Sequence, residues 1–216
     1  MSGIVVLISG RGSNLAAMCN NANLVTQIKC VISNNADAHG LDIAKKFGIP
    51  SCVISHKQYS TREEFDKQVA KTIDEYNPQY VILAGFMRIL SSWFINHYLM
   101  RLVNIHPSLL PSFIGVNAID QAFAAKVKVS GITIHFVTDK LDSGPIIIQG
   151  IVDATPYGSV EELAEKIHSL EHVVYPFAIH KLLTAKVQVY EDGLVVVEKE
   201  DSDFKWLGEL SNSVFY

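Results

Sequence analysis

Cysteine is scarce in this chain: three residues in 216, Cys19, Cys30 and Cys52, with no C-x-x-C pair among them. That scarcity excludes a disulfide framework, speaks against a zinc site and predicts idle thiols in a reducing compartment. Long hydrophobic runs are lacking too. The longest, Tyr80 to Met87, falls far short of the ~20 apolar residues that span a bilayer. Met1-Ser2-Gly3 carries no basic stretch, and Ile4 to Ile8 is too short for the apolar core of a signal peptide. Nor does one sign of charge dominate: 18 basic and 22 acidic residues leave a net charge of −4. Binding a polyanion by phosphate neutralisation is therefore not expected, and neither nucleic acid nor membrane is expected as a partner. What is present is apolar substance, 49% of the chain, which excludes intrinsic disorder. A chain of this length buries roughly 70% of its unfolded surface without staples. The expectation is a cytoplasmic protein, monomer or homodimer.

Strand-like and helix-like runs alternate through the first half. Ile4 to Ile8 is a continuous aliphatic run, as expected of a strand covered on both faces. Gly10-Arg11-Gly12-Ser13 then leads into a helix from about Asn14 to Asn20. Ile28 to Ser33 reads as a second strand, Asp37 to Phe47 as a helix stopped by Gly48-Ile49-Pro50, and Cys52 to Ile54 as a third strand. Thr61 to Tyr76 reads as an amphipathic helix with Phe65, Val69, Thr72, Ile73 and Tyr76 on one face. Ser60 or Thr61 caps it, backed by Glu63 or Glu64. Tyr80 to Ala84 and Leu102 to His106 follow as strands. This order implies an α/β fold, a Rossmann-like, mostly parallel twisted sheet with helices on both faces. Later, Gly131 to Val137 and Pro145 to Val152 are joined by a short loop and are expected to pair antiparallel. Val160 to Leu183 is a long helix, and Glu191-Asp192-Gly193 marks a hairpin between Val187 to Tyr190 and Leu194 to Val197. The charged tail beyond Glu198 carries Phe204, Trp206, Phe215 and Tyr216, and reads either as packed on the body or as meeting a second subunit.

The glycine turn sits between a buried strand and a helix, where backbone N–H groups and the positive end of the helix dipole suit an anion. Ser13 and Asn14 add side-chain donors. The dinucleotide pattern G-x-G-x-x-G fails at Leu15, and the second strand ends in Ser33-Asn34 rather than a carboxylate. A phosphate monoester fits this turn better than a dinucleotide, and a plain strand-to-helix turn is the alternative.

Asn104-Ile105-His106-Pro107 is the most informative stretch. Strand period two puts Asn104 and His106 on one face. Buried mid-strand they would be costly; at the carboxyl end of a parallel strand they face the ligand crevice of open α/β sheets. Asp142 lies in a second polar cluster, Asp139 to Pro145, after the strand bearing His135. A carboxylate beside an imidazole favours its charged form and fixes the ring, and an imidazolium with a carboxamide suits stabilisation of an oxyanion in acyl transfer. A metal bound by His106, His135 and Asp142 lacks any H-x-x-x-H or H-x-H spacing, so no metal is expected. There is no G-x-S-x-G elbow.

These residues resemble the phosphoribosylglycinamide formyltransferases, folate-dependent members of the formyltransferase superfamily. The matching segments are V-V-L-I-S-G-R-G-S-N-L at Val5 to Leu15, L-A-G-F-M-R-I-L at Leu83 to Leu90, N-I-H-P-S-L-L-P at Asn104 to Pro111, H-F-V-T-D-K-L-D-S-G-P at His135 to Pro145 and E-H-V-V-Y-P at Glu171 to Pro176. The resemblance implies transfer of a formyl group from the co-substrate 10-formyltetrahydrofolate to the amine of phosphoribosylglycinamide. It assigns Asn104, His106 and Asp142 as catalytic. It assigns Gly12, Ser13, Asn14 and His168, Ser169, Leu170, Glu171 to the phosphorylated acceptor. Arg62, Met87, Arg88, Ile89, Leu90, Asn104, Thr138, Asp139, Lys140, Leu141 and Asp142 are assigned to the folate. Asn117 stands where that family usually has a histidine.

Related activities share the Asn-x-His-Pro motif, and a sugar-nucleotide formyltransferase or a formyltetrahydrofolate hydrolase is the nearest alternative. A non-catalytic phosphate-binding module would leave Asn104, His106 and Asp142 without a purpose. The hydrolase usually carries an N-terminal regulatory domain and the transfer-RNA enzyme a C-terminal one, and neither is expected here. Because the glycine turn and the catalytic residues would have to serve one crevice, residues 1–198 are expected to be a single domain, with 199–216 as the tail.

Overall fold

Ile4–Ile8 form β1, and every one of its side chains is buried, as a continuous aliphatic run requires when both sheet faces are covered. Strands β2 (Ile28–Ser33) and β4 (Tyr80–Leu83) flank it in parallel. Strand β3 (Ser51–Val53) pairs with β2, and β5 (Leu102–His106) with β4, again in parallel. Strands β6 (Val129–Phe136) and β7 (Ile146–Asp153) pair antiparallel. The seven strands follow the order β3-β2-β1-β4-β5-β6-β7, and β8 (Val187–Val189) with β9 (Val195–Val197) form a separate antiparallel hairpin. This mixed, mostly parallel α/β sheet is the expected class. The computed structural model describes residues 3–184 and 186–198; the aromatic tail singled out in the sequence lies outside them.

The chain divides into two compact units, Met1–Asn104 and Ile105–Tyr216, so the division falls inside β5. The first unit holds helices α1 (Ser13–Cys19), α2 (Ala22–Val25), α3 (Gly40–Lys46), α4 (Arg62–Glu75) and α5 (Ser92–His97). Helix α4 starts with a capping box. Glu64 N–H donates to Thr61 Oγ1 at 3.2 Å, and Thr61 N–H returns to Glu64 Oε2 at 3.1 Å. Its buried side chains are Phe65, Asp66, Val69, Ala70 and Ile73. The apolar stripe read from the sequence therefore turns toward Asp66 and Ala70, and Tyr76 is left 37% exposed. The second unit holds α6 (Ala118–Ala124) and α7 (Val160–Leu183). Helix α7 has the expected bounds and packs on β6, β7 and α6, burying Leu163, Ile167, Leu170, Val174 and Tyr175. Asn117, the departure noted in the sequence, takes the left-handed conformation (φ 57°) as the N-cap of α6; asparagine tolerates that region better than most residues. Helix α3 begins at Gly40 and not at Asp37, because Asn35 draws Asp37 N–H (3.1 Å) and Ala38 N–H (3.3 Å) into turns.

All three cysteines are free thiols. Burial pushes Cys19 up to about 11. Cys30 is pushed up by its hydrogen bond to Cys52 and by burial.

Candidate active site

In the second unit, β5 ends at His106, which is 5% exposed. Its Nε2 lies 2.9 Å from the carbonyl oxygen of Phe113. A carbonyl can only accept, so Nε2 carries a hydrogen. The other nitrogen, Nδ1, faces Asp142 Oδ2 at 3.5 Å, an ion-pair distance longer than a good hydrogen bond. The same Oδ2 accepts the Gly115 N–H at 2.9 Å. Asp142 Oδ1 is 3.9 Å from His135 Nε2. His135 Nδ1 donates to the Phe136 carbonyl at 2.9 Å, which fixes its tautomer. Burial lowers the His135 imidazole below its ordinary 6.5, against the raising effects of that hydrogen bond and of Asp142. The ring is therefore a neutral neighbour of the pair.

The backbone that delivers Asp142 is tightly wound. Asp142 itself sits at φ 45°. Ser143 N–H reaches Lys140 O at 3.3 Å, Ser143 Oγ donates to Leu141 O at 2.8 Å, and Thr138 Oγ1 donates to Lys140 O at 3.3 Å. Phe136 N–H closes the loop onto Pro145 O at 2.9 Å. Gly144 is required by close approach: a Cβ there would stand 1.8 Å from the Phe136 carbonyl oxygen. Asp139, Lys140 and Leu141 lie exposed on this loop. Asn104 precedes His106 by two positions on β5, so the pleat directs both to one face.

The segment on α7 divides by burial. Leu170 is 1% exposed and Glu171 6% exposed. Leu170 packs beside Gly150 of β7. Ser169 is exposed, and its hydroxyl donates back to Glu165 O at 2.8 Å. His168 is half-buried.

The first unit places the glycine turn at the start of α1. Gly12 is its left-handed N-cap at φ 75°, and Ser13 is exposed while Asn14 is buried. The sequence leaves an approaching anion and a plain strand-to-helix turn as alternative reasons for the glycines; the structure supplies a steric one. A Cβ at Gly12 would stand 2.6 Å from Gly40 Cα, and Gly40 N–H donates to Gly10 O at 3.1 Å. The turn is thus seated on the start of α3. Arg62 opens α4. In the loop after β4, Met87 and Ile89 are 79% and 70% exposed, Leu90 is buried and Arg88 is half-buried.

Three local partners escaped the sequence reading. Ser9 lies within the matched segment Val5 to Leu15 but is assigned no role there, Asp66 and the Phe113 carbonyl carry no motif signal, and a carboxylate beside Phe65 on an amphipathic helix reads as its polar face. Among the described residues, no group of three or more His, Cys, Asp or Glu is placed to hold a metal ion, and no helix is long and apolar enough to cross a membrane.

A buried imidazole facing a buried carboxylate, at a strand end of a mostly parallel α/β sheet, defines a candidate acid–base or oxyanion-stabilising site. Residues 2–179 match the formyl transferase family, and the chain belongs to it. Phosphoribosylglycinamide formyltransferase of Escherichia coli (strain K12) is 40% identical over 192 residues, covering 88% of this chain and 91% of that protein. The crystal structure of phosphoribosylglycinamide formyltransferase from Anaplasma phagocytophilum is 42% identical with a TM-score of 0.86, covering 93% of this chain and 96% of that one. Trifunctional purine biosynthetic protein adenosine-3 of Homo sapiens is 43% identical over 201 residues, 92% of this chain and 20% of that protein. The chain thus spans about a fifth of the length of the trifunctional relatives it matches.

Proposed function

We propose that this chain transfers the formyl group of 10-formyltetrahydrofolate to the amine of 5'-phosphoribosylglycinamide, a step of purine biosynthesis, in the cytoplasm. The observation that carries the reading is the His106–Asp142 pair, 3.5 Å apart and both side chains under one-tenth exposed, in a member of the formyl transferase family. The neutral amine attacks the formyl carbon, the carbonyl electrons move to oxygen, and the bond to N10 then breaks. Asn104 and the imidazolium form of His106 donate to the oxyanion; removing one such donor typically costs ~10²–10³ in turnover. Asp142 holds the charge opposite His106 and assists the proton that leaves the amine and arrives at N10. Since Nε2 here gives its hydrogen to Phe113 O, the formyl oxygen has to displace that carbonyl before it can accept from the same position.

Gly12, Ser13 and Asn14 hold the acceptor phosphate by N–H groups at the start of α1. His168, Ser169, Leu170 and Glu171 line the acceptor, with Glu171 on ribose hydroxyls. Arg62, Met87 to Leu90 and Thr138 to Asp142 hold the folate. The family match runs through both units, which supports reading 1–198 as one functional domain. Monomer or homodimer, no metal and no nucleic acid belong to the same reading. The test is incubation with 10-formyltetrahydrofolate and candidate amines while tetrahydrofolate is followed. Release that depends on phosphoribosylglycinamide supports the proposal. Release with water alone, or only with an amino sugar nucleotide, overturns it.

A further inference from the structure

The loop after β4 exposes Met87 and Ile89, yet its backbone is held at three points by groups outside it. Ser9 N–H donates to Gly85 O at 3.2 Å, and Ser9 Oγ accepts the Met87 N–H at 2.8 Å. The Ser9 hydroxyl gives its own hydrogen to Asn34 Oδ1 at 2.5 Å. A hydroxyl has one hydrogen, so this donation leaves its lone pairs to receive the Met87 amide. At the far end, Ser91 N–H donates to Asp66 Oδ2 at 2.6 Å, the short length of a charge-assisted bond. Ser91 then caps α5 by accepting Phe94 N–H at 3.3 Å.

Asp66 is an expensive way to make one hydrogen bond. It is 0% exposed, and its Oδ1 is buried without a hydrogen-bond partner, as is Nε of Arg88 on the loop itself. Burying a carboxylate that is half satisfied costs stability. Burial raises its pKa, and Ser91 and the charges of Arg62 and Arg88 pull it back. Arg62 lies one helical turn before Asp66 on α4. The charges of Arg88 on the loop and of Arg62 at the helix start thus both act on the carboxylate.

The geometry points to Ser9 and Asp66 as positioning residues that hold the 85–91 backbone rigid, as a platform for the bicyclic ring of the formyl donor. This rests on the reading of that loop as folate-binding. A ring recognised by main-chain N–H and C=O groups needs those groups fixed before it arrives, because ordering them afterwards subtracts from affinity.

The test uses the full chain with Asp66→Asn, Ser9→Ala and Ser9→Thr. Asn keeps an acceptor for Ser91 N–H but removes the charge, and Thr keeps the hydroxyl. Asp66→Asn and Ser9→Ala should each raise KM for 10-formyltetrahydrofolate roughly tenfold, the loss expected of a hydrogen bond to or within a fixed polar network. Turnover should stay within about twofold and KM for the acceptor should not move, while Ser9→Thr should restore the wild-type KM. Hydrogen exchange on the wild type should show protected Met87 and Ser91 amides, and Ser9→Ala should release Met87 alone. Unchanged KM in folded variants, a loss in turnover without a change in KM, or freely exchanging Met87 and Ser91 amides overturns the proposal. If Asp66→Asn fails to fold, the Ser9 pair and the exchange data decide it. Equilibrium dialysis of the wild type against 10-formyltetrahydrofolate separates the two levels. No binding there removes the folate reading itself, and with it the purpose assigned to the clamp.

Discussion

Asp142 serves two partners with one oxygen, the Gly115 amide and the His106 ring. Substitution by asparagine separates these duties. The amide oxygen still accepts from Gly115, but no charge stands opposite His106. Turnover of Asp142→Asn should fall by ~10²–10³, while its calorimetric Tm stays near that of the wild type. His135 makes a different forecast. Its imidazole is lowered below 6.5 by burial, so the unfolded ring takes up a proton at a pH where the folded ring does not. Unfolding then gains a proton, and stability falls as pH drops from about 6.5 toward the lowered folded value. His135→Gln should flatten that slope, read as urea midpoints from about pH 7 to about pH 5. Residues of this kind were unevenly legible. Asn104, His106 and Asp142 stood out because polar side chains at a strand end and in a Gly-Pro turn are hard to explain otherwise. Asp66 did not, because its burial is decided by what packs on α4 and not by its neighbours in the chain.

At the scale of elements, α7 and β5 ran between the expected residues because each has an unambiguous pattern, 24 residues of helical periodicity and a strand stopped by Pro107. The short helices α2, α5 and α6 were not foreseen. Each is seven residues or fewer, too few turns to show a period, and α6 begins behind a left-handed Asn117. The turn before α1 was foreseen, but its steric reason was not, since Gly40 is distant in sequence. Gly12→Ala therefore meets two penalties, a positive φ of 75° and a Cβ 2.6 Å from the Gly40 backbone. A strained backbone alone costs roughly 1–3 kcal/mol. Chemical denaturation should show at least that loss. KM for the phosphorylated acceptor should rise with it if the turn holds the phosphate.

For the whole molecule, the mixed sheet and its antiparallel end were legible because hydrophobic runs of two kinds alternate in order. A net charge of −4 gives no general attraction for the proposed anionic acceptor, so its binding would rest on local donors. A ligand of this kind stabilises the chain by mass action. Phosphoribosylglycinamide at about 100 times its Kd should raise the unfolding free energy by about 2.7 kcal/mol. At the same ligand concentration, Ser13→Ala should show a smaller shift in Tm. The Phe113 carbonyl has one more consequence. A formyl donor is an acylating reagent, and an imidazole is a good nucleophile. Nε2 of His106 gives its hydrogen to the Phe113 carbonyl, and Nδ1 is turned to the Asp142 carboxylate. Both ring nitrogens are thus turned to oxygen partners, and neither stands open to an acylating electrophile.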